Sequence, residues 1–220
     1  CHNVDGHVGD LASLPALSGS NSIFGPPPLT NEGLKAQPTW LFNFLKRPFR
    51  MRPLPKVRMP TFGFTDREAT DLVRMFSAID GAVFPFTYHG DVGPRDDHER
   101  RIGKAIFDAA GCQKCHVVGE LGDGPVPPEV KAPNLLMAKD RLRAEWLTLW
   151  LADPGAMQKN TAMPAFWLGG NQMDMFLQTN PEFRAAVDGI PQDVIDRYRT
   201  SPQLQIEATR NYLFRLQAGE

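Results

Sequence analysis

Cys112-Gln113-Lys114-Cys115-His116 places two thiols three positions apart and an imidazole directly behind the second. C-x-x-C-H is the spacing of c-type haem attachment rather than of a simple dithiol or zinc pair. The two thiols can add to the two vinyl groups of one haem, and the imidazole is then held under the iron as its proximal ligand. Cys112 and Cys115 are therefore candidate attachment residues, and His116 is a candidate iron ligand.

The elements that must position this motif occur twice, and a search for repeats comes before any decision on fold. Behind Cys115-His116 come Pro133-Asn134-Leu135, Trp146-Leu147-Thr148-Leu149-Trp150-Leu151, Pro154 and Met163-Pro164-Ala165-Phe166. Behind Cys1-His2 come Pro27-Pro28-Leu29, Trp40-Leu41-Phe42-Asn43-Phe44-Leu45, Pro48 and Met59-Pro60-Thr61-Phe62. Leu29 to Trp40 and Leu135 to Trp146 are both eleven positions, and each tryptophan stands eight before its proline. The intervals that differ run from histidine to leucine, twenty-seven against nineteen, and from proline to methionine, eleven against nine. Loops tolerate such changes in length.

The combined pattern resembles class I cytochrome c, the small all-helical fold in which C-x-x-C-H supplies the proximal histidine and a later Met-Pro loop the distal sulfur. The resemblance covers nearly the whole chain. It implies an all-α fold of two tandem cytochrome c-like domains with long loops around covalently bound haem. These would be residues 1–81, a linker at 82–94, and residues 95–220 with an insertion around 169–201. Carried over by position, His116 and Met163 would ligate one haem attached through Cys112 and Cys115. His2 and Met59 would ligate a second, with Cys1 as one attachment. Trp40 and Trp146 acquire a possible role beside ordinary core packing, an indole N–H bonded to a haem propionate.

The first half departs from the family at its front. The earlier cysteine of its motif would lie three residues before Cys1, and the family's N-terminal helix is missing. We expect a fragment, or a first segment removed or left unread. An amino-terminal cysteine is also how a mature bacterial lipoprotein begins, its sulfur and amino group acylated. His2 and the downstream register favour haem, because a lipid anchor needs neither.

In the second half, Ile102, Ala105, Ile106 and Ala109 recur at helical spacing and predict a helix over Arg95 to Ala110. Gly103 and Phe107 resemble the positions at which the family's first helix crosses its last. Thr65-Asp66-Arg67-Glu68 predicts a helix start, with Leu72, Val73, Phe76 and Ile79 as its apolar face. Pro202 to Gln217 predicts the closing helix, with Ile206, Thr209, Tyr212, Leu213 and Leu216 on one face. Between Gly169 and Ser201, Asp174, Met175, Phe176, Leu177, Phe183, Val187 and Ile195 predict one or two short packed helices. Twenty prolines and nineteen glycines break up the rest, and no sustained alternation argues for a sheet.

The 220 residues carry a formal charge of -1, enough chain for two small cores and no general reason to bind nucleic acid. No apolar run reaches the ~20 residues that span a bilayer, and the start lacks the pattern of a signal peptide, so we expect a mature or trimmed soluble form. Three cysteines cannot build a disulfide framework. Covalent haem implies export, hence the periplasm or outer face of a bacterial membrane.

Lys46, Arg47, Arg50, Arg52, Lys56 and Arg58 form a run without acids that leads to Met59. It is a solvated loop, or some of its charges compensate haem propionates or dock an acidic redox partner. His7, His89 and His98 read as surface imidazoles, and Met51, Met157, Met173 and Met175 as core filler. Trp150 and Trp167 find no counterpart in the first half and read as packing residues. A histidine–methionine pair fills both axial positions and leaves no open site for substrate, which is the chemistry of electron carriage. We expect a dihaem cytochrome c or the cytochrome c subunit of a larger respiratory or photosynthetic complex, an electron carrier rather than an enzyme, exchanging electrons with donor and acceptor proteins. The alternatives are a dihaem peroxidase, which needs one haem open to peroxide, and a monohaem cytochrome with a lipid-anchored first half.

Overall fold

The computed structural model describes residues 1–18, 24–53, 58–86, 92–120, 130–168 and 170–217. Among these, the regular structure is helical, with two isolated bridges and no strand. The first half contributes α1 (Asp10–Ser13), α2 (Glu32–Lys35), α3 (Pro38–Lys46) and α4 (Asp66–Ile79). The second contributes α5 (Asp97–Ala109), α6 (Ala138–Arg141), α7 (Ala144–Ala152), α8 (Pro154–Met157), α9 (Gln172–Thr179), α10 (Pro181–Val187), α11 (Gln192–Arg199) and α12 (Pro202–Leu213). No described helix is long and apolar enough to cross a membrane.

Local chemistry sets the helix ends. Thr65 and Glu68 exchange side-chain and backbone bonds in a capping box, so α4 starts where the sequence predicts. The α5 helix starts two residues later than the apolar pattern suggests. Asp96 takes the Glu99 N–H, while the Arg95 N–H goes to the Glu99 carboxylate. The α12 helix stops at Leu213 rather than near Gln217, and Leu216 packs half-buried beyond its end. Residues 87–91 of the expected linker, with His89, lie outside the described residues.

Two apolar cores form. One gathers Ala36, Leu41, Leu45, Ala69, Val73 and Phe76, with Leu29, Trp40 and Met59 packed against it. The other runs from Ile102 to Phe214, with Cys112, Trp150 and Met163 at its edge. In the second core α5 crosses α12 backbone to backbone. A Cβ on Gly103 would lie 2.3 Å from the Ala208 carbonyl oxygen, and the Phe107 and Tyr212 rings sit 5.4 Å apart. The α4 helix buries Val73 and Phe76 as expected, whereas Ile79 is 48 % exposed.

The insertion forms three helices rather than one or two: Asn171 and Asn180 cap the starts of α9 and α10, Pro191 precedes α11, and Ser201 caps the closing helix α12. It docks through apolar and polar contacts together. The α10 helix packs on α5, with Phe176 and Phe183 5.5 Å apart. The fully buried Gln205 donates to the Tyr198 carbonyl and to Asn171, and accepts from the Trp167 indole at 3.3 Å. Met173 is fully buried, consistent with core filler, while Met175 is largely exposed.

Among the described residues the halves pair through one strip of each, and the Asn134 N–H also donates to Met51 O at 3.3 Å. Ala36 pairs antiparallel with Leu142; the Gln37 N–H donates to Arg141 O at 2.8 Å and the Arg143 N–H to Lys35 O at 2.9 Å. These strips are related by the same offset of 106 positions that relates Leu29 to Leu135 and Trp40 to Trp146. Side chains follow the exchange. Gln37 Nε2 donates to Leu142 O, and Arg143 Nε to Ala36 O. When i meets j′ and j meets i′, the contact has two-fold character.

The tightness of the α5–α12 crossing gives a measurable expectation. Gly103→Val should lower unfolding free energy by about 1–3 kcal/mol through overpacking. Gly155→Ala, whose added carbon meets only Asp153 Oδ1 at 3.4 Å, should change it far less. Urea midpoints at constant m-value read both.

Candidate functional site

Gly111, at φ +68, turns the chain out of α5 and into a single 3-10 turn, Cys112–Lys114. The Cys115 and His116 N–H groups both return to Cys112 O, at 3.3 and 3.0 Å, which folds the motif on itself. His116 Nδ1 lies 2.7 Å from the Pro133 carbonyl. A carbonyl only accepts, so the ring proton sits on Nδ1 and Nε2 keeps its lone pair for a metal. Burial pushes the His116 pKa down, partly countered by this bond, and favours the neutral ligand form.

Cys112 is half-buried and Cys115 exposed. Burial pushes the Cys112 thiol up to about 12, so it stays protonated at neutral pH and is a poor thiolate nucleophile. Among the described residues no three His, Cys, Asp or Glu side chains gather as a metal cluster. The donor set thus fits a haem, needing one imidazole nitrogen and a thioether, better than a cysteine–histidine zinc site.

Met163 stands at the edge of the second core, and Trp150 Nε1 donates to its Sδ at 2.8 Å. Trp150, expected only to pack, touches the candidate sulfur itself. It also stacks on Trp146, ring centroids 5.1 Å apart. Its counterpart in the first half is Phe44, stacked on Trp40 at 5.0 Å. The sequence carries this as an aromatic pair at i and i+4 in both halves, Trp40/Phe44 and Trp146/Trp150, masked by the difference in residue type.

The first half repeats the histidine geometry. His2 Nδ1 lies 2.7 Å from the Pro27 carbonyl. The Leu29 N–H donates to the carbonyl of Asn3, the residue after His2, at 2.9 Å. The Leu135 N–H donates to the carbonyl of Val117, the residue after His116, also at 2.9 Å. Met59 and Trp40 are half-buried against the first core, and Cys1 is exposed.

The spare groups sort by environment. His7 is exposed, whereas His98 is half-buried with its Nδ1 buried. The basic run divides: Lys46 donates to Phe64 O and pairs with Asp66 at 2.8 Å, and Arg52 turns inward to Gly25 O at 2.7 Å. Arg47, Arg50 and Arg58 remain exposed, and Lys56 lies outside the described residues. The run is therefore not one solvated stripe.

Between the halves lies a charged cluster. Lys35 pairs with the buried Glu32 at 3.2 Å and stands 5.4 Å over the Trp146 ring, while Arg141 stands 5.2 Å over the Trp40 ring. Burial alone would push the Glu32 carboxyl up, but Lys35 and Arg141 outweigh it and hold it below its ordinary 4.5. Burial pushes the Lys35 ammonium below its ordinary value, only partly offset by Glu32.

Residues 101–177 match the family model for cytochrome c. The matched stretch contains Cys112, Cys115, His116, Trp146 and Met163, and ends within α9, before α12. This domain implies covalently bound c-type haem and haem-based electron transfer. Searches of curated proteins and of solved structures return no match.

A carboxylate with a depressed folded pKa stabilises above its unfolded pKa, and that contribution is lost as pH falls through the folded value. The urea midpoint of the parent protein should therefore exceed that of Glu32→Gln most above about pH 4.5. The gap should close at lower pH.

Proposed function

We propose that the chain carries electrons through two c-type haems with histidine–methionine ligation, one at His116 and Met163 and the other at His2 and Met59. The observation that carries this reading is a pair of hydrogen bonds present in both halves. In each, histidine Nδ1 meets a proline carbonyl at 2.7 Å, and the leucine two residues after that proline donates to the carbonyl following the histidine. Each histidine bond commits Nδ1 to the carbonyl and directs Nε2 away from it.

When bound, the haem supplies a one-electron Fe(III)/Fe(II) couple. The protein supplies the rest. His2 and His116 present nitrogen lone pairs, and Met59 and Met163 thioether sulfurs, ligands that need not change between oxidation states. Trp150 orients the Met163 sulfur through its indole N–H. The apolar cores limit water around the ligands, and Cys112 and Cys115 form the thioether links, with Cys1 as one link at the first site. The exposed Arg47, Arg50 and Arg58 offer an approach to an acidic redox protein, whose on-rate would fall as salt rises. Export to the periplasm or to the outer face of a bacterial membrane would follow from covalent haem.

Haem and protein assayed together should give two haems per chain with low-spin spectra. Met59→Ala and Met163→Ala should each remove about half of the methionine-to-iron charge-transfer absorbance. The mass of the first tryptic peptide separates a haem adduct on Cys1 from acyl chains or a free thiol. One haem per chain, lost with His116→Ala and unaffected by His2→Ala, would sink the two-haem reading.

A further inference from the structure

Among the described residues, the contact between the halves sets two cations, Lys35 and Arg141, on one buried carboxylate, Glu32, with His2 acting on it as well. Arg52 acts electrostatically on both of these cations. Lys35 is already paired with Glu32. Arg141 is only 8 % exposed, and its buried Nε has no hydrogen-bond partner among the described residues. Arg143, the other cation of the strip, has committed Nε and Nη2 to the carbonyls of Ala36 and Val83 and lies 4.2 Å over Phe86. A buried guanidinium with an unmade bond is costly unless an anion completes it. A planar fork of N–H donors suits a carboxylate.

The direction of each cation is the informative part. Arg141 belongs to the second half but covers Trp40, which packs on the core that holds Met59. Lys35 belongs to the first half but covers Trp146, which stacks on Trp150, whose N–H reaches Met163. We propose that this cluster is a receptor for haem carboxylates that works by exchange. Arg141 neutralises a propionate of the haem at His2 and Met59, and Lys35 one of the haem at His116 and Met163. The proposal rests on the haem reading above. Its consequence is that each half tunes the other's potential, because a cation near the iron disfavours the more positive ferric state.

The test measures both potentials by spectroelectrochemistry in the haem-loaded protein, with Met59→His or Met163→His backgrounds to assign each signal. Lys35→Gln should lower the potential of the His116 haem more than that of the His2 haem. Arg141→Gln should do the reverse, and Arg141→Lys should restore most of the loss. Haem content and far-ultraviolet circular dichroism establish that each variant has folded. Shifts confined to the mutated residue's own half, or no shift, overturn the proposal. If free anions fill the cluster instead, the parent potentials will move with phosphate concentration and the substitutions will abolish that dependence, which also overturns it. One haem per chain fails the two-haem reading separately and removes the Arg141 arm. Lys35→Gln then decides alone, since the remaining potential must fall. A chain without haem overturns both readings.

Discussion

A neutral imidazole has one N–H to donate, and at His2 and His116 it lies 2.7 Å from a proline carbonyl. That bond settles the tautomer, the ring plane and the direction of the free nitrogen together. The carbonyl must be held in turn, so the leucine two residues later ties its strip to the residue after the histidine. Burial helps by disfavouring the imidazolium, as it does for His116. Loop length between histidine and proline can vary by eight residues because only its two ends carry the constraint.

The second half surrounds this clamp with a larger core. Gly103 lets α5 approach α12 at backbone distance, and α5 leads directly into the cysteine motif. The inserted helices then cover α5 from another side, held by the buried amide of Gln205 as well as by Phe176 and Phe183. The first half has a smaller core and leaves Met75 and Ile79 of α4 exposed. Where the halves meet, the strips of residues 35–37 and 141–143 exchange backbone bonds, and each sends a cation across to the other's tryptophan. Burying those cations beside one carboxylate is unfavourable in isolation, which gives the cluster its pull on an anion.

Much of the helical architecture was legible because its causes are local. Thr65 and Glu68 are three residues apart, the apolar positions of α5 follow one helical turn after another, and prolines begin α3, α10 and α12. The errors arose where distant contacts decide. Nothing in the spacing of Trp150 says that its indole reaches a sulfur thirteen residues on, since the intervening loop sets that distance. Arg52 looked like a member of an exposed basic run, but its partner carbonyl, Gly25, lies twenty-seven positions back. The insertion holds more helices than its apolar pattern suggests, because Asn171 and Asn180 cap the starts of α9 and α10 and Pro191 precedes α11.

By itself the sequence determined the chemistry of the motif and the repeated register, because covalent spacing and helical period are properties of neighbouring residues. It contained the offset of 106 positions but not its use. Only the tertiary structure decided that equivalent strips would pair with each other, and that Lys35 and Arg141 would each stand over the opposite half's tryptophan. The physical reason is that a hydrogen bond or cation–π contact between residues a hundred positions apart exists only once two folded surfaces meet.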